Sequence, residues 1–207
     1  MTSVLALTSA STGNASVSSG LVADAVAQLR AAGAKIVSRD LGANPLPHLT
    51  EDSTAAIRGA EPANDAQKAA RALSDAVVAE IKEADLIVIG SPMYNFGISS
   101  SLKTWIDHIA RAGVTFSYSE AGPKGLLTGK RALVIESRAG MYSEGPAMPM
   151  DSQEPYLRTV LGFLGITDVT FVRAEKLAFG PEARDASLAA AKTAIAAWVG
   201  TAAAKAA

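Results

Sequence analysis

LIVIGSPMYNFGISSS, residues 86–101, decides the fold. The apolar run over 86–89 is short and mostly β-branched, so it reads as a buried strand. The loop after it carries Met93, Tyr94, Asn95 and Phe96 ahead of Gly97, and Ser99, Ser100 and Ser101 then offer hydroxyl caps to a helix. A strand that ends in aromatics and an amide just before a helix start is the place where α/β proteins put their chemistry.

Working outward, residues 4–8 form a second short apolar run, which enters the hydroxyl-rich loop 9–19, SASTGNASVSS. Leu21, Val22, Ala25, Val26, Leu29 and Ala32 recur at helical spacing, and Gly33 suits a left-handed helix end. Residues 35–41 read as strand two, NPLP at 44–47 breaks regular structure, and 50–58 reads as a short helix or lid. A helix is expected over 64–83, with Leu73, Val77, Ile81 and Ala84 on one face, feeding strand three at 86–89. Another spans 99–111, with Gly113 as its cap. Residues 114–118 alternate as a short extended piece and 120–129 read as loop. Residues 131–136 make strand four, 137–149 a long loop, 155–164 a helix, 170–172 strand five, and 183–199 an Ala-rich helix.

Strands alternating with helices require parallel pairing, crossover connections and helices on both faces of the sheet. The expected architecture is a flavodoxin-like three-layer α/β sandwich with a five-stranded parallel sheet of order 2-1-3-4-5. In such a sheet the ligand sits at the carboxyl ends of the strands, where the loops after strands one, three and four converge.

The 207 residues suit a single domain spanning 1–207. Hydrophobic residues make up 49% and charged residues 19%, which places the chain outside the composition of disordered proteins. A net charge of -1, with both signs scattered, carries no nucleic-acid footprint and favours small neutral partners. The absence of cysteine excludes disulfides, thiol redox chemistry and thiolate metal sites, so any electron transfer has to use a bound cofactor. The first residues lack a basic leader and no apolar run approaches a membrane span, so a cytoplasmic location is expected.

Loop 9–19 opens directly into a helix, whose exposed amides and dipole suit a phosphate, with hydroxyls adding donors. A plainer reading makes Ser18 or Ser19 a helix cap in a solvated loop. The Gly-x-Gly-x-x-Gly spacing is missing, so a single phosphate is expected rather than a pyrophosphate. Residues 125–130, GLLTGK, resemble a P-loop, but Lys124 stands at the first glycine position and Arg131 follows the lysine, which rules the motif out. Met93, Tyr94 and Phe96 suit the face or edge of a flavin, with the amides near Asn95 and Phe96 approaching the ring and Gly97 permitting it; the same aromatics also read as core or interface packing. Loop 137–140 (Ser137, Arg138, Ala139, Gly140) brings amides, a hydroxyl and a guanidinium that suit the pyrimidine oxygens of such a ring, although a lone Ser-Arg pair in a loop also reads as merely solvated. His48 and His108 lack further ligands at helical spacing, so no metal is expected, and His108 reads as a surface or interface residue. No Gly-x-Ser-x-Gly elbow is present.

Residues 91–140, SPMYNFGISSSLKTWIDHIARAGVTFSYSEAGPKGLLTGKRALVIESRAG, strongly resemble the FMN-dependent NADH-azoreductases, also called NADH:quinone oxidoreductases. NPLP at 44–47, the serines before the first helix, and YLRTVLGFLGITDV at 156–169 extend the resemblance over nearly the whole chain. It implies a homodimer with one FMN per subunit and active sites at the dimer interface. The family's phosphate contacts fall on Ser9, Ser16, Val17 and Ser18, and its ring contacts on Met93, Tyr94, Asn95 and Phe96. Its third loop falls on Ser137, Arg138, Ala139 and Gly140, and its substrate pocket on Phe116, Tyr118, Tyr142 and Phe163. Ala10, Ala139 and Tyr142 depart from residues common in relatives. The implied reaction passes hydride from NADH, or NADPH, to flavin N5 and on to quinones or azo compounds in ping-pong fashion, with no catalytic side chain. A flavodoxin-type electron carrier or a flavin-binding module is the alternative reading; the near-neutral charge and the long loops favour the enzyme.

Overall fold

Alternation along the strands sorts the apolar side chains into two cores. The computed structural model describes residues 1–120 and 122–204. Its strands are β1 (Ser3–Thr8), β2 (Lys35–Asp40), β3 (Leu86–Pro92), β4 (Phe116–Ser119), β5 (Gly122–Gly125), β6 (Arg131–Ser137) and β7 (Asp168–Ala174). The helices are α1 (Val17–Ala31), α2 (Glu51–Ile57), α3 (Asp65–Glu83), α4 (Ser100–Ile109), α5 (Glu154–Leu164) and α6 (Pro181–Ala204). Leu5, Leu7, Ile87, Ile89, Ala132 and Val134 pack against α3, α4 and α5. Val4, Ala6, Leu86, Val88, Leu133 and Ile135 point the other way, onto α1 and α6. Every residue of β3 is buried, because β3 has a parallel neighbour on each edge and helices over both faces.

The parallel sheet has the flavodoxin-like arrangement with spatial order β2-β1-β3-β6-β7. Counted along the chain this is 2-1-3-6-7, not the expected 2-1-3-4-5, because the antiparallel hairpin β4-β5 intervenes and forms its own small sheet. Residues 122–125, Gly-Pro-Lys-Gly, were expected as loop. They pair with residues 116–119 although they have no apolar alternation, and the backbone at Gly125 presses against the end of α5: a Cβ on Gly125 would lie 2.1 Å from the amide nitrogen of Gly165. Gly165 itself ends α5 with φ +98°, a left-handed conformation that glycine adopts without strain.

Other boundaries also move. α1 begins at Val17, capped by Ser16 and not by Ser18 or Ser19: the Ser16 Oγ accepts from the Ser19 amide at 3.3 Å. Helix α4 ends at Ile109, so Gly113 is not its cap but part of the following turn, where its amide donates to Phe116 at 2.7 Å. His108 is fully buried, not superficial; its Nε2 lies 3.0 Å from the carbonyl of Pro47 and pins the NPLP segment to α4. Among the described residues, no helix is long and apolar enough to cross a membrane.

Candidate functional site

The register brings Thr8 beside Gly90 and Pro92 beside Ser137, so β1, β3 and β6 finish level and their three loops meet at one edge of the sheet. Hydrogen bonds then tie the loops to one another. Ser9 donates its hydroxyl to the Gly90 carbonyl at 2.8 Å, and Ser101 donates to the Ser9 carbonyl at 3.2 Å. The Tyr94 hydroxyl accepts from the amide and the hydroxyl of Ser11, at 3.1 and 3.0 Å. The Met93 amide donates to the Ser137 carbonyl at 2.9 Å.

On the β1 side, Gly13–Ala15 form a 3-10 turn that delivers the chain to the Ser16 cap. Buried Ser16 and Ser18 share a hydrogen bond at 3.1 Å, and Val17 and Ser18 are the first residues of a fifteen-residue helix. Their amides have no intrahelical acceptor and sit at the positive end of the helix dipole, which suits a phosphate. The Ser9 hydroxyl is already committed to Gly90, so Ser9 offers the site its backbone.

On the β3 side, Tyr94 and Gly97 exchange two backbone hydrogen bonds, at 2.9 and 3.0 Å, around a tight turn. Its central residues, Asn95 and Phe96, have φ of 48° and 71°, the pattern of a type I′ turn. Asparagine tolerates that conformation, but phenylalanine is strained in it by about 1–2 kcal/mol. Among the described residues neither amide has an acceptor, and both side chains are exposed. Backbone strain of this kind, beside a helix start that suits an anion, is found chiefly where proteins hold ligands. Gly97 has an ordinary φ, and a Cβ there would only touch Tyr94 at 3.9 Å, so the close approach to a ligand depends on Asn95 and Phe96.

After β6, Ser137 is buried and Ala139 exposed. The Arg138 guanidinium does not reach out from the loop; it is buried below it. Nη2 pairs with Glu136 at 2.8 Å and Asp151 at 3.0 Å, Nη1 with Glu175 at 3.0 Å, and Nε donates to Gln153 Oε1 at 3.0 Å. The carbonyls of Ser137, Arg138, Ala139 and Gly140 already accept from Met93, Leu177, Ala178 and Lys176, and the Arg138 amide donates to Ala174, so this loop presents to a ligand the amides of Ala139 and Gly140 and the Ser137 hydroxyl. Gly140 leaves room for Tyr142, since a Cβ there would lie 3.0 Å from that ring. Tyr142 in turn packs edge-on against Phe96, with centroids 6.1 Å apart.

The hub around Arg138 has uneven electrostatics. Burial pushes the Glu136 carboxyl up to about 8; Arg138 opposes this, while Glu154 and Asp151 reinforce it. Burial would raise Glu175 too, but bonds from Ser143, the Tyr142 amide and Arg138 outweigh it and hold its pKa below the ordinary carboxylate value.

Phe116, Tyr118 and Phe163 make a second aromatic group. Phe116 stands 4.5 Å from Phe163 and 5.4 Å from Tyr118, and Tyr118 is 73% exposed. Tyr142 belongs with Phe96 instead. Sequence reasoning missed Ser11, Gln153, Glu136 and Glu175. Gln153 gave no signal, being a lone amide before a helix, whereas Glu136, at the end of an apolar strand, could have been recognised as a buried acid seeking a partner.

A match to a flavodoxin-like fold family covers residues 2–199. The chain is 54% identical over 198 residues to an FMN-dependent NADH:quinone oxidoreductase of Hyphomonas neptunium, covering 95% of each chain. It is 50% identical over 196 residues to FMN-dependent NADH:quinone oxidoreductase 1 of Rhizobium etli, covering 93% of this chain and 96% of the relative. In structure it is similar to an azoreductase from Bacillus anthracis, with a TM-score of 0.87 and 30% identity over 96% of this chain and 99% of that one.

Proposed function

The chain belongs to the flavodoxin-like fold family, and from that premise we propose how this flavoenzyme works: its three tied loops hold FMN, and one open surface serves NADH and the electron acceptor in turn. It is an oxidoreductase, FMN-dependent like its relatives. When bound, FMN supplies the two-electron chemistry, which no side chain of the chain could perform. The residues present fit such a group: orphaned amides at the start of α1 suit its phosphate, and unpartnered amides at Asn95 and Phe96 suit the polar edge of its ring. That strained turn, held next to the α1 start by the Tyr94–Ser11 bonds, is the observation that carries the reading.

Ser16, Val17 and Ser18 bind the phosphate, with Ser9 supporting them through its backbone. Met93, Tyr94, Asn95 and Phe96 flank the ring, and the backbone from Ser137 through Arg138 and Ala139 to Gly140 faces its pyrimidine edge. Amide donors fixed before the reaction stabilise negative charge as it develops on the reduced ring, without a cost of reorganisation. The exposed aromatics, Phe96 and Tyr118, with Tyr142 and Phe163 behind them, offer flat apolar surface to quinones and azo compounds. Residues 1–207 act as one domain and pair as a homodimer whose interface closes the substrate surface. A ping-pong order follows from a single surface that admits one flat partner at a time.

The test is steady-state NADH oxidation by the FMN-loaded protein with menadione or methyl red as the sole acceptor. Turnover without any added reductase supports the enzyme; a protein that binds FMN but needs a separate reductase is an electron carrier.

A further inference from the structure

Gln153 is fully buried just ahead of α5, and both ends of its amide are used. Oε1 accepts from Arg138 Nε at 3.0 Å; Nε2 donates to the carbonyl of Ser91 at 2.8 Å and to its hydroxyl at 3.0 Å. The orientation is unambiguous, because a guanidinium can only donate and a carbonyl can only accept. The adjacent Ser152 amide donates to the Phe96 carbonyl at 2.9 Å. Residues 152 and 153 thus hold the 91–97 segment at both ends: at Ser91, where β3 is finishing, and at Phe96, the strained residue of the turn.

Gln153 is itself held from two sides, by Asp151 and by Arg138. Asp151 Oδ1 accepts from the amides of Gln153 and Glu154, at 2.8 and 3.2 Å, while its other oxygen pairs with Arg138. Arg138 is fixed to β6 through Glu136 and to Glu175, the residue after β7. Glu175 also receives the amides of Tyr142 and Ser143, at 2.8 and 3.0 Å, which places the Tyr142 ring against Phe96. A guanidinium with every edge occupied cannot swing, so its amide partner is held as rigidly as its carboxyl partners.

We propose that Gln153 is a positioning residue for cofactor binding: braced by Arg138, it fixes the Ser91-to-Phe96 segment so that the Asn95 and Phe96 amides are aimed before the ring arrives. The inference rests on the reading of the 94–97 turn as the ring contact. It gives the left-handed Phe96 its physical explanation: a turn that would relax in isolation is kept in place by a buried amide and the neighbouring backbone N–H. Gln153 touches no reacting atom and acts only through Ser91 and the turn.

The test compares FMN-loaded wild type with Gln153→Met, which fills nearly the same volume without the two-way amide. FMN affinity is read by flavin fluorescence, the bound ring by its visible circular dichroism and midpoint potential, and the fold by far-ultraviolet dichroism. The expected result is a folded variant whose FMN dissociation constant rises about tenfold, with altered visible dichroism and a shifted potential. A purely structural role would lower the melting temperature and leave the spectrum and potential of the bound ring unchanged. A folded variant with affinity within about twofold of wild type and an unchanged flavin spectrum overturns the proposal. Should Gln153→Met not fold, Gln153→Glu decides: it keeps the shape and the acceptor for Arg138 but replaces the amide donor that reaches Ser91, and a flavin spectrum identical to wild type is then the contradicting result. Failure of the wild type to bind FMN is a different outcome, which removes the functional reading and this inference together.

Discussion

The hydroxyl of Tyr94 accepts hydrogen bonds from both the amide and the side chain of Ser11, at 3.1 and 3.0 Å, across 83 positions of sequence. It couples the loop that offers a helix start to the loop that offers the strained turn. Tyr94→Phe removes the acceptor and keeps the ring. Ser11 is exposed, so its stranded donors rehydrate and unfolding free energy should change by less than about 1 kcal/mol. FMN affinity should fall about three- to tenfold, read by fluorescence titration. An equal loss of stability and no loss of affinity would make the bond structural only.

Phe96 is held at φ 71° while 42% exposed. Replacing a phenylalanine with glycine normally destabilises, but Phe96→Gly removes left-handed strain. That gain offsets the extra freedom of the unfolded chain, so unfolding free energy should stay within about 1 kcal/mol of wild type. Turnover with quinone should nevertheless drop, because the flat surface shared with Tyr142 is gone. Urea unfolding and menadione kinetics on the same preparation separate the two effects.

Glu136 has a definite pH signature. Its folded pKa, near 8, lies above its ordinary value of 4.5, so between those limits the folded state holds a proton that the unfolded chain has lost. Its contribution to stability is full below about 4.5 and is lost as pH rises through about 8. Glu136→Gln keeps the shape and removes the titration. The fall in unfolding free energy between about pH 5.5 and 8.5 should therefore be smaller in the variant than in wild type. Glu175, held low, acts in the opposite direction and only in acid. An identical pH slope in the two proteins would show that Glu136 does not hold that proton.

Gly165 tests how the hairpin is seated. A side chain there would meet the Gly125 backbone at 2.9 Å and would also have to adopt φ +98°. Gly165→Ala should cost about 2 kcal/mol or more in urea unfolding. It should also weaken quinone binding more than FMN binding, since the hairpin carries Phe116 and Tyr118 but none of the three loops proposed to hold FMN.

The parallel sheet was legible because its central strands contain unbroken apolar runs such as 86–89, and the strained loop after β3 drew notice because aromatics follow that run. The β4-β5 hairpin was half hidden: Gly122-Pro123-Lys124-Gly125 has no hydrophobic period, and its pairing depends on contact with Gly165, forty positions beyond Gly125. The candidate site was readable in composition but not in role. Arg138 looks like a loop cation available to a ligand, and only the convergence of Glu136, Asp151, Gln153 and Glu175 turns it inward. His108 failed for the same reason: its partner, the Pro47 carbonyl, is a backbone atom 61 positions away. Side chains satisfied by distant backbone or by several scattered acids leave no local pattern to read.

The most direct measurement separates the two half-reactions. FMN-loaded protein is reduced anaerobically with NADH, the nicotinamide is removed, and menadione or methyl red is added while the flavin absorbance is followed. The expected result is bleaching by NADH alone and stoichiometric return of the oxidised spectrum with either acceptor. A flavin that NADH cannot bleach, or that neither acceptor reoxidises, would contradict the assignment of this surface to both substrates.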